Sequence, residues 1–227
     1  MSEKRRAVAI DGPSGAGKST LARAVAKALG FCYVDTGAIY RTVGCAAKRR
    51  GLDPADAAAI EALLGELTVE MTYDGEGLQH MLLNGEDVTA EIRLPEISMY
   101  ASKVSAIPAV RAFLLEMQRE MARQHDVIMD GRDIGTVVLP QADVKIFLTA
   151  SPEDRARRRY LELQERGTPQ DYDQLLAETR ERDYNDSHRS SAPLRPAADA
   201  VLLDTTGNTF EQSCALLRRT IEERLDV

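Results

Sequence analysis

Tryptophan is absent from this sequence of 227 residues, and aromatic side chains make up only 5% of it. Cysteine is also scarce, with three residues that form no CxxC pair and are odd in number. A disulfide framework is therefore not expected, and Cys32, Cys45 and Cys214 are most simply interpreted as reduced thiols of a cytosolic protein. The three histidines are scattered along the chain and indicate no metal site.

Long hydrophobic runs are missing as well. No apolar stretch approaches the roughly 20 residues that a membrane-spanning helix needs. The basic start followed by residues 7–10 looks like the beginning of a signal peptide, but Asp11 and Gly12 interrupt the apolar run too early. We therefore expect a protein without a membrane segment that stays in the cytoplasm.

Positive charge is not in excess. Lysine and arginine number 29 against 36 acidic residues, a net charge of −7, which argues against binding nucleic acid or an anionic membrane through bulk charge. An anionic ligand must instead be held by a local concentration of positive groups. The remaining composition, 44% apolar and 29% charged, suits one α/β domain with an insertion, or two small domains.

Short apolar strands alternate with helical segments along most of the chain, and this alternation predicts a parallel sheet flanked by helices. The predicted strands of this core cover residues 5–11, 31–34, 127–129, 144–148 and 200–203. The predicted helices cover residues 19–29, 38–50, 54–64, 108–124, 152–166 and 171–185, and a capping box at 209–212 begins a last one.

Residues 67–89 follow a different pattern. Apolar residues from 67 to 73 alternate with polar ones, as in a half-buried antiparallel strand. A glycine-containing turn at 74–77 leads to a partner strand at 78–83, and Asn84-Gly85 is a hairpin turn into residues 86–89. The pattern predicts a small antiparallel meander inserted into the α/β core.

The segment GPSGAGKS lies between the first strand and the first helix and matches the phosphate-binding pattern G-x-x-x-x-G-K-[ST]. Glycines allow backbone N–H groups to point at a β-phosphate, and the helix N-terminus adds its positive end. Lys18 would reach the β- and γ-phosphate oxygens, and Ser19 would ligate Mg²⁺. The alternative is a glycine-rich turn that only starts a helix. The predicted ATP site comprises Gly12, Pro13, Ser14, Gly15, Ala16, Gly17, Lys18, Ser19 and Thr20.

A phosphate-binding loop indicates a nucleoside triphosphate but does not define the reaction. The sequence contains no guanine-reading Asn/Thr-Lys-x-Asp motif, which argues against a GTPase. The strand at 127–129 ends at Asp130, a carboxylate suited to holding Mg²⁺ through water. The alternative is an aspartate that simply ends a strand.

Two further polar segments occupy places where anions bind. DTGAIYR, residues 35–41, starts a helix, whose N-terminus favours an anion. DGRDIGT, residues 130–136, follows the third core strand at its carboxyl end, where ligands bind in open α/β sheets. Together with GPSGAGKS and the arginine-rich segments, these motifs resemble the bacterial cytidylate kinases of the nucleoside monophosphate kinase group. The resemblance covers nearly the whole chain.

This resemblance implies an architecture. The fold would be α/β, with a P-loop parallel five-stranded sheet flanked by helices, an inserted monophosphate-binding subdomain containing a small antiparallel sheet, and a short helical lid. The expected bounds are 1–36 and 105–227 for the P-loop core, 37–104 for the insertion and 154–170 for the lid within the core. The meander at about 66–93 would cover the acceptor.

The resemblance also implies an activity, the transfer of the γ-phosphate of Mg-ATP to CMP and dCMP in pyrimidine nucleotide metabolism. The enzyme would be a cytoplasmic monomer that binds neither nucleic acid nor membrane and needs Mg²⁺ with ATP but no tightly bound cofactor. The acceptor would be contacted by Thr36, Tyr40, Arg41, Ser102, Arg111, Arg132, Asp133, Arg182, Asp186 and Arg189. Catalytic charge would come from Lys18, Arg41, Arg132, Arg158 and Arg159, and further ATP contacts from Arg155 and Arg158.

Within the acceptor set, the resemblance places Arg41 and Arg132 on the phosphate and directs Thr36, Ser102, Arg111 and Asp133 at the base. Three more of its residues are spaced i, i+4 and i+7, so they share one stripe of a helix: Arg182, Asp186 and Arg189. The alternative there is an exposed Arg182–Asp186 ion pair of little energetic worth.

The lid arginines, at positions 155, 158 and 159, share one face of the predicted helix at 152–166. The alternative is a solvated face with an Arg158–Glu162 pair. Two other functions remain open for the whole chain. One is a P-loop kinase for another small acceptor such as shikimate, dephospho-coenzyme A or another nucleotide, and the other is a nucleotide-binding regulator with little turnover.

Overall fold

The computed structural model describes residues 5–225. The beginning of the basic segment that was compared with a signal peptide, and the two ends of the P-loop core predicted at 1–36 and 105–227, lie outside these residues. A five-stranded sheet forms the centre of the molecule, with the strand order β2-β6-β1-β7-β8 and parallel pairing throughout. Its strands are β1 (Ala7–Asp11), β2 (Cys32–Asp35), β6 (Val127–Gly131), β7 (Val144–Thr149) and β8 (Val201–Asp204).

Helices cover both faces of this sheet. They are α1 (Lys18–Leu29), α2 (Thr36–Arg49), α3 (Ala57–Leu64), α4 (Pro95–Val104), α5 (Pro108–Gln124), α6 (Pro152–Glu165), α7 (Tyr172–His188) and α8 (Phe210–Leu225). A 3₁₀ turn spans Glu91–Arg93 and a π-type turn spans Ile134–Val138. No helix within residues 5–225 has the length and apolar character needed to cross a membrane.

The central strands bury side chains on both faces because successive residues of a strand point in opposite directions. In β1, Val8 and Ile10 pack in the hydrophobic core shared with α1 and α8, whereas Ala9 packs in the core shared with α2, α3 and α5. β6 divides in the same way, with Ile128 on the first side and Met129 on the second. Strands buried on both faces have nearly continuous apolar sequences, which is why they could be predicted.

The predicted fold class is confirmed, with five parallel core strands and a small antiparallel sheet. The capping box is also confirmed, because Gln212 N–H donates to the Thr209 hydroxyl and Thr209 N–H donates to the Gln212 side chain. Two differences are notable. The helix predicted from residue 54 begins at Ala57, capped by Asp56, and α4 was not predicted although Ile97, Ala101 and Val104 are spaced i, i+4 and i+7.

The small sheet consists of β3 (Val69–Tyr73), β4 (Gln79–Leu83) and β5 (Glu86–Asp87), paired in the order β3-β4-β5. It is attached to the edge strand β2. The Gln79 side chain bonds both the N–H and the carbonyl of Asp35, and the Tyr73 hydroxyl donates to the Tyr33 carbonyl. Met81 is fully buried in the core shared with α2. The meander therefore covers a sheet edge and completes a core.

Helix α4 lies close against α2. A Cβ atom at Gly44 of α2 would lie 2.9 Å from the backbone nitrogen of Ala101, so only glycine permits this approach. One face of α4 is buried through Ile97 and Val104. The close packing brings Ser98 and Ser102 to the wall of the cleft described below.

Candidate active site

The phosphate-binding loop follows β1 at the centre of the sheet. Gly12, Gly15 and Gly17 all have positive φ, at 151°, 75° and 86°. A Cβ atom at Gly12 would lie 1.9 Å from the carbonyl oxygen of Leu148, so a side chain there is excluded. The loop turns directly into α1, which leaves the N-terminal N–H groups of that helix directed at the loop. This arrangement favours an anion.

Lys18 lies in the first turn of α1 and is only 5% exposed. Its Nζ donates to the Pro13 carbonyl at 2.7 Å. Burial, together with the nearby charge of Arg132, lowers the pKa of Lys18 to about 7. A phosphate placed beside it would favour the charged form, because an opposite charge raises the pKa of an ammonium group.

Asp130 is the last residue but one of β6 and lies next to the loop. Its Oδ2 accepts from the Ser19 hydroxyl at 2.9 Å and its Oδ1 accepts from the Tyr33 hydroxyl at 2.8 Å. Burial raises the pKa of Asp130, so the carboxylate favours a cationic neighbour. Ser19 and Asp130 present the hard oxygen donors that Mg²⁺ prefers. No cluster of three or more histidine, cysteine or acidic residues suited to a metal occurs in the described part of the chain.

A second group of arginines lies beyond the loop. Arg41 on α2 donates to Asp35 at 2.9 Å, and Arg93 donates to the same Asp35 oxygen at 3.0 Å. Burial would raise the pKa of Asp35, but the two arginines hold it below its usual value. Arg132, which follows β6, donates to Asp186 of α7 at 2.8 Å.

The predicted base-facing residues meet on one wall. Arg111 of α5 is paired with the buried Asp133 and also donates to the Ser105 carbonyl at 3.2 Å. The Thr36 hydroxyl donates to the Asp130 carbonyl at 2.7 Å, so its oxygen can still accept a hydrogen bond. The Arg111 guanidinium lies 5.5 Å from the centre of the Tyr40 ring, within cation–π range.

The residues predicted to share one helical stripe face the same space, with Arg182 and Asp186 on α7 and Arg189 directly after its end. Arg182 Nε and Arg189 Nη2 are buried without a hydrogen-bond partner. Burial lowers the pKa of both groups. Asp186 is bonded to Arg132 from another element, so the stripe is not the exposed i, i+4 ion pair considered as an alternative. Buried donors without partners indicate a ligand or water at this place, since leaving them unpaired is costly.

The three lid arginines are placed differently from one another. Arg158 lies on the cleft wall, pairs with Asp154 and donates to the Thr205 carbonyl at 2.9 Å. Arg159 is 40% exposed and lies 3.3 Å from Glu162. Arg155 is buried beneath the phosphate loop, where it donates to the Ser14 carbonyl at 2.9 Å and pairs with Asp183.

These groups line one continuous cleft of about 660 Å³. Most of the predicted residues lie on its wall: Ser14, Gly15, Gly17, Lys18, Ser19, Thr20, Thr36, Tyr40, Arg41, Ser102, Arg111, Asp130, Arg132, Asp133, Arg158, Arg182, Asp186 and Arg189. Predicted residues outside this wall are Gly12, Pro13, Ala16, Arg155 and Arg159. The first three still shape the loop, and Arg155 supports it from behind.

Two parts of the wall were not predicted from the sequence. One is the face of α4 that carries Ser98 and Ala101. The other is the start of α8, with Asn208, Thr209 and Phe210 next to the P-loop end of the cleft. The segment 209–212 had been interpreted only as a capping box. A phenylalanine directly after the cap residue Thr209 is the sequence signal that could have marked this segment as part of the cleft wall.

A glycine-rich loop at the end of the central parallel strand, a buried lysine on the following helix and a cleft at the carboxyl ends of the strands define a P-loop nucleotide-binding protein. The sequence profile of the family described as cytidylate kinase matches residues 8–223, and the chain belongs to that family.

Curated relatives agree with this assignment. A protein named cytidylate kinase from Caldicellulosiruptor bescii is 49% identical over 219 residues, covering 96% of this chain and 95% of the relative. Another, from Pelotomaculum thermopropionicum, is 52% identical over 205 residues, covering 90% and 91%. A solved structure described as an uncharacterized protein from Eubacterium ventriosum has a TM-score of 0.53 at 10% identity, with 97% of this chain and 99% of that chain covered. That likeness concerns the fold alone.

Proposed function

We propose that the protein transfers the γ-phosphate of ATP to CMP, and also to dCMP, giving ADP and the nucleoside diphosphate. Its family and the names of its relatives support this activity. The observation that carries it is the single cleft, which has the phosphate loop at one end and buried arginines with unpaired donors at the other. A protein that only bound ATP would not need the second group.

The acceptor requires no general base. A phosphate monoester has its second pKa at about 6, so it is mostly a dianion at neutral pH and can attack directly. The difficulty is the repulsion between two anionic phosphates held in line. Catalysis then depends on positioning and on fixed positive charge, which Lys18, Arg41, Arg132 and Arg158 provide.

The donor phosphates fit the loop and the start of α1. Lys18 would exchange its bond to the Pro13 carbonyl for a phosphate oxygen. When Mg²⁺ is bound, Ser19 would ligate it directly and Asp130 would hold it through water, and the ion would neutralise negative charge on the phosphates. Tyr33 would keep the Asp130 carboxylate oriented, because it already donates to one of its oxygens.

The acceptor fits the opposite end. Arg41 and Arg132 would bind its phosphate, and the buried Arg182 and Arg189 supply further donors around the sugar and base. Arg111, Asp133, Ser102 and the Thr36 hydroxyl would contact the base. In this proposal the insertion at 37–104 contributes to the acceptor site through α2 and α4, because these two helices line the cleft and the meander does not.

Closure is required because water must be excluded if ATP is not to be hydrolysed. The lid at 154–170 carries Arg158 on the cleft wall, and we propose that it moves onto bound ATP. We further propose a cytoplasmic monomer that acts on small nucleotides and not on nucleic acid, which the net charge of −7 and the free cysteines favour.

A coupled assay of ADP release with a panel of acceptors tests the function. CMP and dCMP should be the preferred acceptors, with UMP, AMP and shikimate used far less. Strong preference for another acceptor would identify a different P-loop kinase. Release of ADP at the same slow rate with and without every acceptor would indicate a nucleotide-binding regulator.

The lowered pKa of Lys18 predicts that nucleotide binding takes up a proton. At pH 8 a lysine with a pKa of about 7 is mostly neutral in the free protein, and bound phosphates should return it to the charged form. Calorimetry of ATP binding at pH 8 in two buffers with different ionisation enthalpies should therefore show uptake approaching about one proton. Uptake should shrink at pH 6, where Lys18 is already charged, and should vanish in Lys18→Met. Equal proton uptake by the wild type and by Lys18→Met would contradict the assignment of this proton to Lys18.

A further inference from the structure

The turn Ile134–Val138 is not capped by the side chain of the residue that precedes it. Asp133 occupies the N-cap position, yet its side chain makes no capping hydrogen bond. The first N–H groups of a helical turn have no partner within it, and an aspartate at the N-cap ordinarily accepts them. Here the Asp133 carboxylate is paired with Arg111 on the cleft wall. The N–H groups must therefore be satisfied from elsewhere.

Asp11 supplies the acceptors. Its Oδ1 accepts from the N–H of Ile134 at 2.7 Å, and its Oδ2 accepts from the N–H of Gly135 at 2.8 Å. Both distances are typical of strong bonds to a charged acceptor.

The position of Asp11 connects the two ends of the cleft. It is the last residue of β1 and directly precedes Gly12, the first residue of the phosphate loop. Its two hydrogen bonds reach the turn that follows Arg132 and Asp133, which line the acceptor end. One side chain therefore joins the strand that carries the ATP loop to the segment that carries the acceptor contacts.

Holding a carboxylate here is costly. Asp11 is only 3% exposed. Burial raises the pKa of Asp11 to about 6, even though both backbone N–H groups favour the ionised form. A neutral side chain would avoid the desolvation of a charge, but it could not accept both N–H groups.

We propose that Asp11 is a positioning residue for the acceptor site, which caps the turn in place of Asp133 and so keeps the Asp133 carboxylate beside Arg111 on the cleft wall, where it can contact the acceptor base. This inference rests on the proposed function. Without Asp11, Asp133 at the N-cap position is placed to accept the N–H of Gly135, the second residue of the turn. The Asp133 side chain would then turn to cap this N–H, leave Arg111 and withdraw from the base.

Asp11→Asn tests the proposal because asparagine keeps the size but accepts only one of the two bonds. We expect kcat/KM for CMP to fall about 10- to 100-fold, as for a misplaced contact in a well-ordered site. The preference for CMP over UMP should fall about tenfold in parallel, and the KM for ATP should stay within about threefold of wild type. Asp11→Glu, which keeps the charge but is one methylene too long, should show the same selective loss.

Asp74→Asn is the matched control, since Asp74 also accepts two backbone N–H bonds, from Glu76 and Leu78, but lies in the meander turn away from the cleft. Asp74→Asn should change the kcat/KM for CMP, the preference for CMP over UMP and the KM for ATP by no more than about twofold each. Unchanged CMP kinetics in folded Asp11→Asn, or equal losses for CMP and ATP, would overturn the proposal. If wild type itself fails to phosphorylate CMP, the proposed function is wrong and not merely this inference.

Hydrogen exchange in the wild-type protein provides a test that does not depend on folding of a variant. The amides of Ile134 and Gly135 should be protected before CMP is added, at a level near that of β1, because their acceptor belongs to the core. Fast exchange of both amides in the free protein, with protection only after CMP binds, would show that Asp11 does not fix the turn.

Discussion

Lys18→Ala is expected to lower kcat by on the order of 10²- to 10³-fold, the loss typical of removing one preorganised charged donor from a transition state. Lys18 is buried beside the phosphate loop and near Arg132, and a charge acts more strongly at such a buried position than in water. Within residues 5–225 the Lys18 ammonium donates to the Pro13 carbonyl, and water can satisfy that carbonyl in the variant.

The variant should remain folded. Burial lowers the pKa of Lys18. Between pH 7 and the ordinary lysine pKa, the folded state therefore binds fewer protons than the unfolded state. Folding must release the Lys18 proton in this range, which lowers the stability of the folded protein. Removing the amine should therefore leave the melting temperature unchanged or higher at neutral pH. Lys27→Ala, an exposed lysine on the same helix, is the control and should keep full activity. A folded Lys18→Ala protein with near-normal turnover would refute the assigned role.

Asp133→Ala is expected to remove most of the discrimination between CMP and UMP, mainly by damaging the use of CMP. Cytosine offers an amino donor at N4 and acceptors at N3 and O2, whereas uracil offers an acceptor at O4 and a donor at N3. A carboxylate suits the cytosine amino group, and Arg111 suits the acceptors. With UMP both contacts become unpaired or repulsive, at about 1–3 kcal/mol each. Wild-type discrimination of about 10²-fold or more in kcat/KM follows.

The structure adds a requirement to this experiment. Asp133 is the partner of Arg111, and both side chains are nearly buried. Removing one member of such a pair costs about 3–5 kcal/mol of stability, so Asp133→Asn should accompany the alanine variant and melting temperatures should be recorded. Asp199→Ala, which removes an exposed partner of Lys145, is the control. An unchanged ratio of kcat/KM for CMP and UMP in both Asp133 variants would show that Asp133 does not contact the base.

The sequence was most informative where local chemistry is demanding. GPSGAGKS required glycines at positive φ and a lysine in the first helical turn, so its conformation could be predicted from eight residues. The core strands were predictable because they are apolar on both faces. α4 was missed because it is only ten residues long, which is shorter than the window over which a helical period is recognised.

The lid arginines show what helical spacing alone does not predict. Helical spacing placed residues 155, 158 and 159 together, yet one supports the phosphate loop, one faces the cleft and one lies at the surface. Spacing gives the relative angle of side chains around a helix, but the rotation of the whole helix against its neighbours depends on packing across the molecule. The meander as a cover for the acceptor stays a prediction: none of its residues lies on the cleft wall, but Gln79 and Arg93 bond Asp35, which does.

The residue types alone specify the parallel α/β class, the phosphate loop and the family, because glycine conformations, buried strand patterns and motif spacing are properties of short segments. Three-dimensional packing specifies the partners of the charged groups. Asp35 pairs with Arg93, Asp186 pairs with Arg132, and Asp11 bonds a turn more than 120 residues away. Such partnerships depend on distances between elements that are far apart in the chain. No local pattern encodes those distances, and the energy of a charge depends on the partner it finds there.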